Sequence, residues 1–293
     1  MTAYVDQEFT PEAQPRLRAS LRAVLRIFFR GLIRPPVPLA LQRLVLSALT
    51  CAMPLARGVS RRRGLIAERP CEWHRPAEGS DGRVMLYLHG GAFILGSPAT
   101  HRSLCSALLS RGKWDLCALD YRLAPTYPNP AARDDCVAAY QALLTRGYRP
   151  EHITIAGDSA GGNLVLVTAQ RLQQLGLPMP SHWCAAYCQP EQDRADPAVS
   201  PLYGKLRGLP RLLLQVGEDE LLLNDSLRLA EAARAEGVQV RLERYKGLWH
   251  VFQAHTGLLT ASDQALDRVV DFVRVDKAST NKPIAATAPI ERD

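Results

Sequence analysis

Short apolar runs alternate with stretches of helical periodicity over most of the chain. Five apolar runs predict strands, at Arg83–Phe93, Leu116–Tyr121, His152–Gly157, Arg211–Gly217 and Val238–Tyr245. Four periodic stretches predict helices, at Ala132–Gly147, Ala160–Gly176, Ser226–Gly237 and Ser262–Val275. Short strands that alternate with helices are typical of a mostly parallel sheet with helices on both faces. We therefore predict an α/β fold, with its sheet in a domain of residues 66–276.

The first 65 residues follow a different pattern. Arginines recur every four residues from Arg18 to Arg34, and the apolar residues between them fall on other faces of one predicted helix. Pro35 and Pro36 end this helix, and a second helix is predicted over Leu39–Met53. We expect both helices to pack over the domain as a cap. A basic amphipathic helix can also lie on an anionic membrane surface, and the two roles are compatible. Residues 277–293 are polar and rich in Pro and Ala, which predicts a disordered tail.

The net charge of +7 is concentrated at the N-terminus of the 293-residue chain. Residues 1–63 hold eleven arginines and three acidic residues, a net +8, so the remainder carries a net −1. A neutral main domain argues against binding to nucleic acid. We therefore expect a small-molecule partner for the domain, and regard membrane contact through residues 16–34 as a second hypothesis.

The seven cysteines are odd in number and scattered, which predicts free thiols in a reducing compartment. The N-terminus has no apolar stretch typical of a secretory signal, so we expect a cytoplasmic protein. Cys184 and Cys188 are four residues apart, but no second pair or histidine cluster accompanies them. The sequence therefore predicts neither a metal site nor a cofactor.

Ser159 lies in the pentapeptide Gly157-Asp158-Ser159-Ala160-Gly161, which fits the pattern G-x-S-x-G. The pentapeptide joins a predicted strand to a predicted helix, which is the context this motif requires. The glycines leave room for a sharp turn, and the helix N-terminus favours developing negative charge. Ser159 is therefore a candidate nucleophile.

A serine needs a base to remove its proton, and a histidine held by a carboxylate is the usual one. His250 is the best placed histidine, since it follows the last predicted strand and precedes the last helix, with His255 five residues further on. Asp219 directly follows the strand Arg211–Gly217, and the chain order Ser, Asp, His is that of α/β-hydrolases. Three neighbouring acids could compete for this role, although the position at the strand end favours Asp219: Glu218, Glu220 and Asp225.

An oxyanion hole is predicted from the loop His89-Gly90-Gly91-Ala92-Phe93, whose backbone N–H groups can face the site. The N–H of Ala160 would supply a further donor just after the nucleophile. Each such donor typically lowers the barrier by about 3 kcal/mol. Nucleophile, base, acid and oxyanion loop together predict a serine hydrolase.

Five segments in order, YLHGGAF, DYRLAP, GDSAGGN, VGEDELLLNDS and WHVF, resemble the hormone-sensitive-lipase-like group of α/β-hydrolases, the bacterial family IV esterases. The resemblance covers about Arg83 to Val275, and the N-terminal helices are similar to the cap of that group. It implies short to medium acyl esters as substrates, with lactones or small amides as alternatives, no cofactor, and often a homodimer. It also implies Ser159 as nucleophile, Asp219 and His250 as its partners, Gly91, Ala92 and Ala160 as oxyanion donors, and Gly90 as a residue that shapes the loop.

Three departures from the family pattern change the expectations. Ala92 replaces a third glycine, and Thr126 stands where a glutamate is usual. The chain between Ser159 and Asp219 is also shorter than usual, with residues 177–194 replacing a strand, a substrate loop and cap helices. His182–Cys188 could supply the missing strand. One hypothesis is a trimmed hydrolase with a wider site, and the other is an impaired relative that only binds a ligand.

Overall fold

The computed structural model describes residues 4–187 and 200–274. These residues form one nine-stranded sheet in the order β1-β9-β8-β7-β6-β4-β5-β3-β2. In this order, the six pairs of neighbouring strands from β1 to β5 are parallel. At the other end of the sheet, β3 pairs antiparallel with β5, and β2 pairs antiparallel with β3. The strands are β1 Tyr4–Phe9, β2 Val59–Ile66, β3 Arg69–Pro76, β4 Val84–Leu88, β5 Asp115–Leu119, β6 Ile153–Ser159, β7 His182–Tyr187, β8 Arg211–Gly217 and β9 Val240–Tyr245.

Helices cover both faces of this sheet, as the sequence predicts for an α/β-hydrolase fold. One core layer joins the sheet to α4, α5 and α6, and the other joins it to α3 and α7. The described helices are α1 Pro15–Leu32, α2 Leu39–Cys51, α3 Arg102–Gly112, α4 Ala131–Thr145, α5 Ala160–Gln174, α6 Leu223–Ala235 and α7 Thr260–Arg274. Parallel strands that are buried on both faces place their carboxyl ends at one edge of the sheet, where a site can form.

The shortened segment after α5 retains a strand next to the nucleophile strand. β7 lies between β6 and β8, with Thr154 opposite His182 and His182 opposite Arg211. Trp183 is buried in this strand and belongs to the core. The hypothesis that His182–Cys188 supplies the missing strand is confirmed for His182–Tyr187. Residues 188–199, with Cys188 and the rest of the short segment, lie outside the described residues.

The first residues of the chain add a strand that the sequence pattern did not predict. β1 pairs in parallel with β9, and Phe9 stacks on Tyr245 with 5.0 Å between ring centroids. Arg244 on β9 contacts the carboxylates of Asp6 at 3.0 Å and Glu8 at 3.3 Å. Because β1 is short, charged and paired with a strand far along the chain, its local sequence does not reveal it. The first 65 residues therefore form a strand and two helices and reach into β2, so the sheet also includes residues before the predicted boundary at 66.

The two N-terminal helices make polar contacts with the domain. The Gln14 amide donates to the Leu258 carbonyl at 3.1 Å and accepts from the Thr260 N–H at 2.9 Å. On α2, Arg43 donates to the carbonyls of Ile94 at 2.9 Å and Ala124 at 3.4 Å. α1 has no fully buried residue. Over residues 4–187 and 200–274, no helix combines the length and the apolar character needed to cross a membrane.

The cysteines in the described part of the chain are all free thiols. Cys51 is exposed, whereas the other five are buried: Cys71, Cys105, Cys117, Cys136 and Cys184. This agrees with the free thiols predicted from the odd count. The reducing compartment inferred from it stays a prediction.

Candidate active site

Ser159 lies at a strained turn between β6 and α5. Its φ of 52° and ψ of −122° are unusual for a residue with a side chain. A Cβ at Gly161 would lie 1.9 Å from the Leu88 carbonyl oxygen, and one at Gly157 would lie 2.6 Å from the Gly161 carbonyl. The turn can therefore form only with glycine at both positions. It presents the Ser159 hydroxyl at the N-terminus of α5, as the motif predicts.

His250 lies in the loop between β9 and α7, and its ring faces Ser159. The Nε2 atom is 2.8 Å from the Ser159 Oγ, a good distance for the hydroxyl to donate to a neutral imidazole. Residue Val251 has a φ of 53°, so the chain turns sharply directly after the histidine. The predicted pair of Ser159 and His250 is brought together by these two turns.

Glu220, and not Asp219, holds the other nitrogen of this histidine. The Glu220 Oε1 is 3.0 Å from the His250 Nδ1, and its Oε2 accepts from the Gly217 N–H at 3.0 Å. The Glu220 side chain is 7% exposed. The prediction that Asp219 contacts the histidine is therefore wrong.

The loop after β8 explains why the nearer acid points away. The Asp219 N–H donates to the Leu248 carbonyl at 2.9 Å, and this pairing fixes the loop beside the histidine. The Asp219 carboxylate, which is 39% exposed, pairs with Arg22 of α1. Glu220 is one residue later and one methylene longer, so its carboxylate returns to the imidazole. The other two acids are engaged elsewhere, Glu218 with Arg244 and Asp225 with Arg228.

The loop after β4 supplies backbone N–H groups at the same edge of the sheet. Gly91 has a φ of 123°, and a Cβ there would lie 2.3 Å from the Leu95 carbonyl oxygen. Ala92 has a φ of 52° and retains its N–H, so the replacement of the third glycine keeps the donor. Within the described residues, no acceptor is bonded to the N–H of Gly91 or Ala92. The N–H of Ala160 begins α5, where backbone amides have no intrahelical partner.

Gly90 differs from the other predicted oxyanion donors. Its N–H donates to the Asp158 Oδ1 at 3.1 Å, so this donor is already engaged. A Cβ at Gly90 would lie 2.2 Å from the Asp158 Oδ2. Its assignment to the oxyanion hole is therefore corrected to a structural one: Gly90 lets the loop approach Asp158, which agrees with a role in shaping the loop.

A buried polar network lies beneath the oxyanion loop and was not predicted from the sequence. The Asp158 carboxylate accepts from the Tyr87 hydroxyl at 2.6 Å and lies 3.4 Å from the His101 Nε2. Burial alone would raise the pKa of Asp158, but the charge of His101 and the hydrogen bonds lower it to about 2. Burial lowers the pKa of His101, yet the neighbouring Asp158 charge more than compensates, so that its pKa is raised. The network holds the buried Asp158 carboxylate between Tyr87 and His101, and it fixes the loop through Gly90.

His89 adds a neutral ring to the same network. Burial, with a contribution from the His101 charge, lowers the pKa of His89 to about 3. The ring stacks on Tyr121 with 4.2 Å between centroids, and the Tyr121 hydroxyl donates to the His89 carbonyl at 2.6 Å. The position of Asp158 next to the nucleophile was the signal in the sequence that could have revealed this network.

Comparison with known proteins places this site in a family. A family model described as alpha/beta hydrolase fold matches residues 85–184 and 178–254. An acetyl-hydrolase of Streptomyces hygroscopicus is 38% identical over 236 residues, which are 69% of this chain and 79% of that protein. An esterase of Acinetobacter venetianus is 36% identical over 234 residues, 67% of this chain and 76% of its own length.

Solved structures agree with these relatives. An esterase from the bacterial hormone-sensitive lipase family has a TM-score of 0.84 at 31% identity, over 90% of this chain and 99% of that chain. EstE5, in a crystal soaked with p-nitrophenyl butyrate, has a TM-score of 0.84 at 34% identity, over 91% and 100% of the two chains. The fold and the paired serine and histidine are those of an α/β-hydrolase. The chain belongs to the hormone-sensitive-lipase-like family of esterases within that class.

Proposed function

We propose that this ester hydrolase cleaves carboxylic esters of short to medium acyl chains through a covalent acyl-enzyme on Ser159. The contact that carries the proposal is the 2.8 Å distance between the Ser159 Oγ and the His250 Nε2. Glu220 on the Nδ1 side completes a triad of the kind that activates a serine. Since Asp219 is paired with Arg22, the acid of the triad is Glu220.

The reaction follows from these positions. As the Ser159 Oγ attacks the ester carbonyl, His250 takes the hydroxyl proton and then returns it to the leaving alcohol. Water, deprotonated by His250, next attacks the acyl-enzyme, and the acid is released as Ser159 recovers its proton. Glu220 keeps the imidazole in the required tautomer and stabilises its cation. The N–H groups of Gly91, Ala92 and Ala160 stabilise the oxyanion, each contributing about 3 kcal/mol.

Two observations support short acyl groups. The Streptomyces relative is named an acetyl-hydrolase, and EstE5 was soaked with a butyrate ester. Lactones and small amides could use the same triad, and activity on them is an outcome of the substrate series below. The shortened segment 177–194 motivated the non-catalytic alternative, and the strand β7 beside the nucleophile strand weighs against that alternative. A homodimer and a cytoplasmic location stay predictions.

The test is reaction of the purified protein with a fluorophosphonate probe, followed by hydrolysis of p-nitrophenyl esters of increasing acyl length. We expect labelling of the native chain and of Ser110→Ala, a control serine that bonds to the Ala107 carbonyl in α3. Ser159→Ala should neither label nor turn over substrate, and rates should fall for long acyl chains. A folded native protein that does not label, or a fully active Ser159→Ala, would refute the proposal.

A further inference from the structure

The N-terminal helices expose an unusual amount of apolar surface. Among the described residues, sixteen large hydrophobic side chains are exposed, and eight of them lie on α1 and α2. Ile27 is 75% exposed and Leu44 is 66% exposed. The eight residues are Leu17, Val24, Ile27, Phe29 and Leu32 on α1, with Leu41, Leu44 and Leu49 on α2. A concentration of this kind marks an interaction surface, whereas scattered exposed hydrophobic residues need no explanation.

Three of the five exposed apolar residues of α1 form one edge of its apolar face. Leu17, Val24 and Ile27 share a side of the helix, since they are spaced by seven and three residues. Leu21 and Phe28, further round the same face, are only half-buried. The domain therefore covers one part of the apolar face of α1 and leaves Leu17, Val24 and Ile27 uncovered.

The charges next to this surface indicate an anionic partner. In the described part of the chain, one arginine of the helix, Arg22, has a carboxylate partner, which is Asp219. No ion pair within the described residues involves the others: Arg16, Arg18, Arg26 and Arg30 on α1, and Arg34 just after it. A helix with exposed apolar residues and unpaired arginines has the composition of helices that lie at the interface of an anionic bilayer.

We propose that the exposed face of α1 and α2 binds the surface of a bilayer containing anionic phospholipids. A second copy of the chain fits less well, because two faces with the same arginines would repel each other. A nucleic acid would pair with the arginines but would leave Val24, Ile27 and Leu44 uncovered. A phospholipid surface satisfies both the charged and the apolar groups.

The position of α1 connects this surface with the proposed active site. Arg22 pairs with Asp219, the residue next to Glu220, and Arg43 of α2 contacts the loop that carries the oxyanion donors. A chain bound through these helices would hold the site close to the lipid. The inference adds a location to the proposed function, namely esters that partition into a membrane surface, and the binding itself does not depend on catalysis.

The experiment is flotation of the full chain with two kinds of vesicle, phosphatidylcholine alone and an equal mixture of phosphatidylcholine and phosphatidylglycerol. The apolar variant is Val24→Asp with Ile27→Asp, and its control is Leu65→Asp, an exposed leucine on β2. The charge variant is Arg26→Gln with Arg30→Gln, and its control is Arg61→Gln with Arg62→Gln, which removes the same charge from exposed positions on β2. Ser159→Ala separates binding from catalysis.

We expect the native chain, Ser159→Ala and both controls to float with the anionic vesicles and not with the neutral ones. The charge variant should bind roughly 25-fold more weakly, from about fivefold for each arginine removed. The apolar variant should stay unbound, while its hydrolysis of a water-soluble ester stays unchanged. No flotation of the native chain, or an equal loss of flotation in the β2 controls, would overturn the proposal. It would also be overturned if the charge and apolar variants kept their flotation and lost self-association or DNA binding. Failure of Ser159→Ala alone to float would link binding to the site and refute the independent surface.

Discussion

Replacing Glu220 and Asp219 one at a time decides which acid orients His250. Glu220→Gln keeps the size of the side chain and leaves an oxygen for the Gly217 N–H, but removes the negative charge 3.0 Å from the His250 Nδ1. Asp219→Asn leaves that contact intact and removes only the pair with Arg22. The two substitutions are chemically matched and one residue apart, so each is the control for the other.

The expected magnitudes differ widely. Replacing the acid of a Ser-His-Asp triad by its amide lowers kcat by about 10⁴, or roughly 5 kcal/mol in the activation free energy. Glu220 is only 7% exposed, so water has little access to take over the stabilisation of the His250 cation. We therefore expect kcat of Glu220→Gln to fall by a factor of about 10³ to 10⁴. An exposed ion pair such as that of Arg22 and Asp219 contributes about 0.2–1 kcal/mol, so Asp219→Asn should stay within about fivefold of the native rate.

Initial rates of p-nitrophenyl butyrate hydrolysis give kcat and KM for both variants, and the labelling rate with a fluorophosphonate reports the activation of Ser159 directly. Thermal unfolding of each variant shows whether a lost rate reflects a lost fold. We expect labelling and kcat to fall together in Glu220→Gln, with the fold retained. If Asp219→Asn were the more damaged variant, the reasoning from the His250 contact would be wrong, and the favoured acid of the sequence pattern would be restored.

Three further perturbations test the structure around the triad. Gly91→Ala forces a side chain to within 2.3 Å of the Leu95 carbonyl at a φ of 123°, so kcat should fall by about 10² with little change in KM; an unchanged kcat would contradict the oxyanion assignment. His89 has a folded pKa of about 3 against 6.5, so the unfolded chain binds more protons between those values and its contribution to stability is lost as pH falls through that range. As pH falls through this range, the urea midpoint of unfolding should therefore decrease less steeply for His89→Gln than for the native chain. Equal pH dependence of the two midpoints would contradict a buried neutral ring. Trp183→Ala should cost about 3–5 kcal/mol in chemical denaturation, whereas a cost near zero would mean that β7 is not packed in the core.

Most of the sheet could be predicted because its strands are continuous apolar runs and its helices are periodic. The edge elements could not be predicted in this way. β2 and β3 carry charged residues, with Arg61, Arg62 and Arg63 in succession, and β1 has Asp6 and Glu8 among its six residues at the edge of the sheet. β1 is stabilised by a strand remote in sequence, as in the pairs of Arg244 with Asp6 and Glu8, and these contacts leave no local pattern. β2 and β3 instead pair with each other as a hairpin joined by Ala67 and Glu68, but their charged residues interrupt the apolar runs that predict the central strands. β7 is an intermediate case, because HWCAAY suggests a strand only as a replacement for the one that the shortened segment would otherwise lack.

The site shows the same division between what is local and what is not. The turn at Ser159 requires the two glycines of its own pentapeptide, so the motif locates the serine directly, although the backbone that Gly161 lets approach belongs to Leu88 of β4. The acid depends on how the loop after β8 pairs with a different loop, through the Asp219 N–H and the Leu248 carbonyl. With the loop held in this way, the side chain of Asp219 faces Arg22 of the cap and that of Glu220 faces His250. Position after a strand end therefore identifies the short segment that must contain the acid, while the choice within it is made by contacts that lie 29 and 197 residues away in the chain.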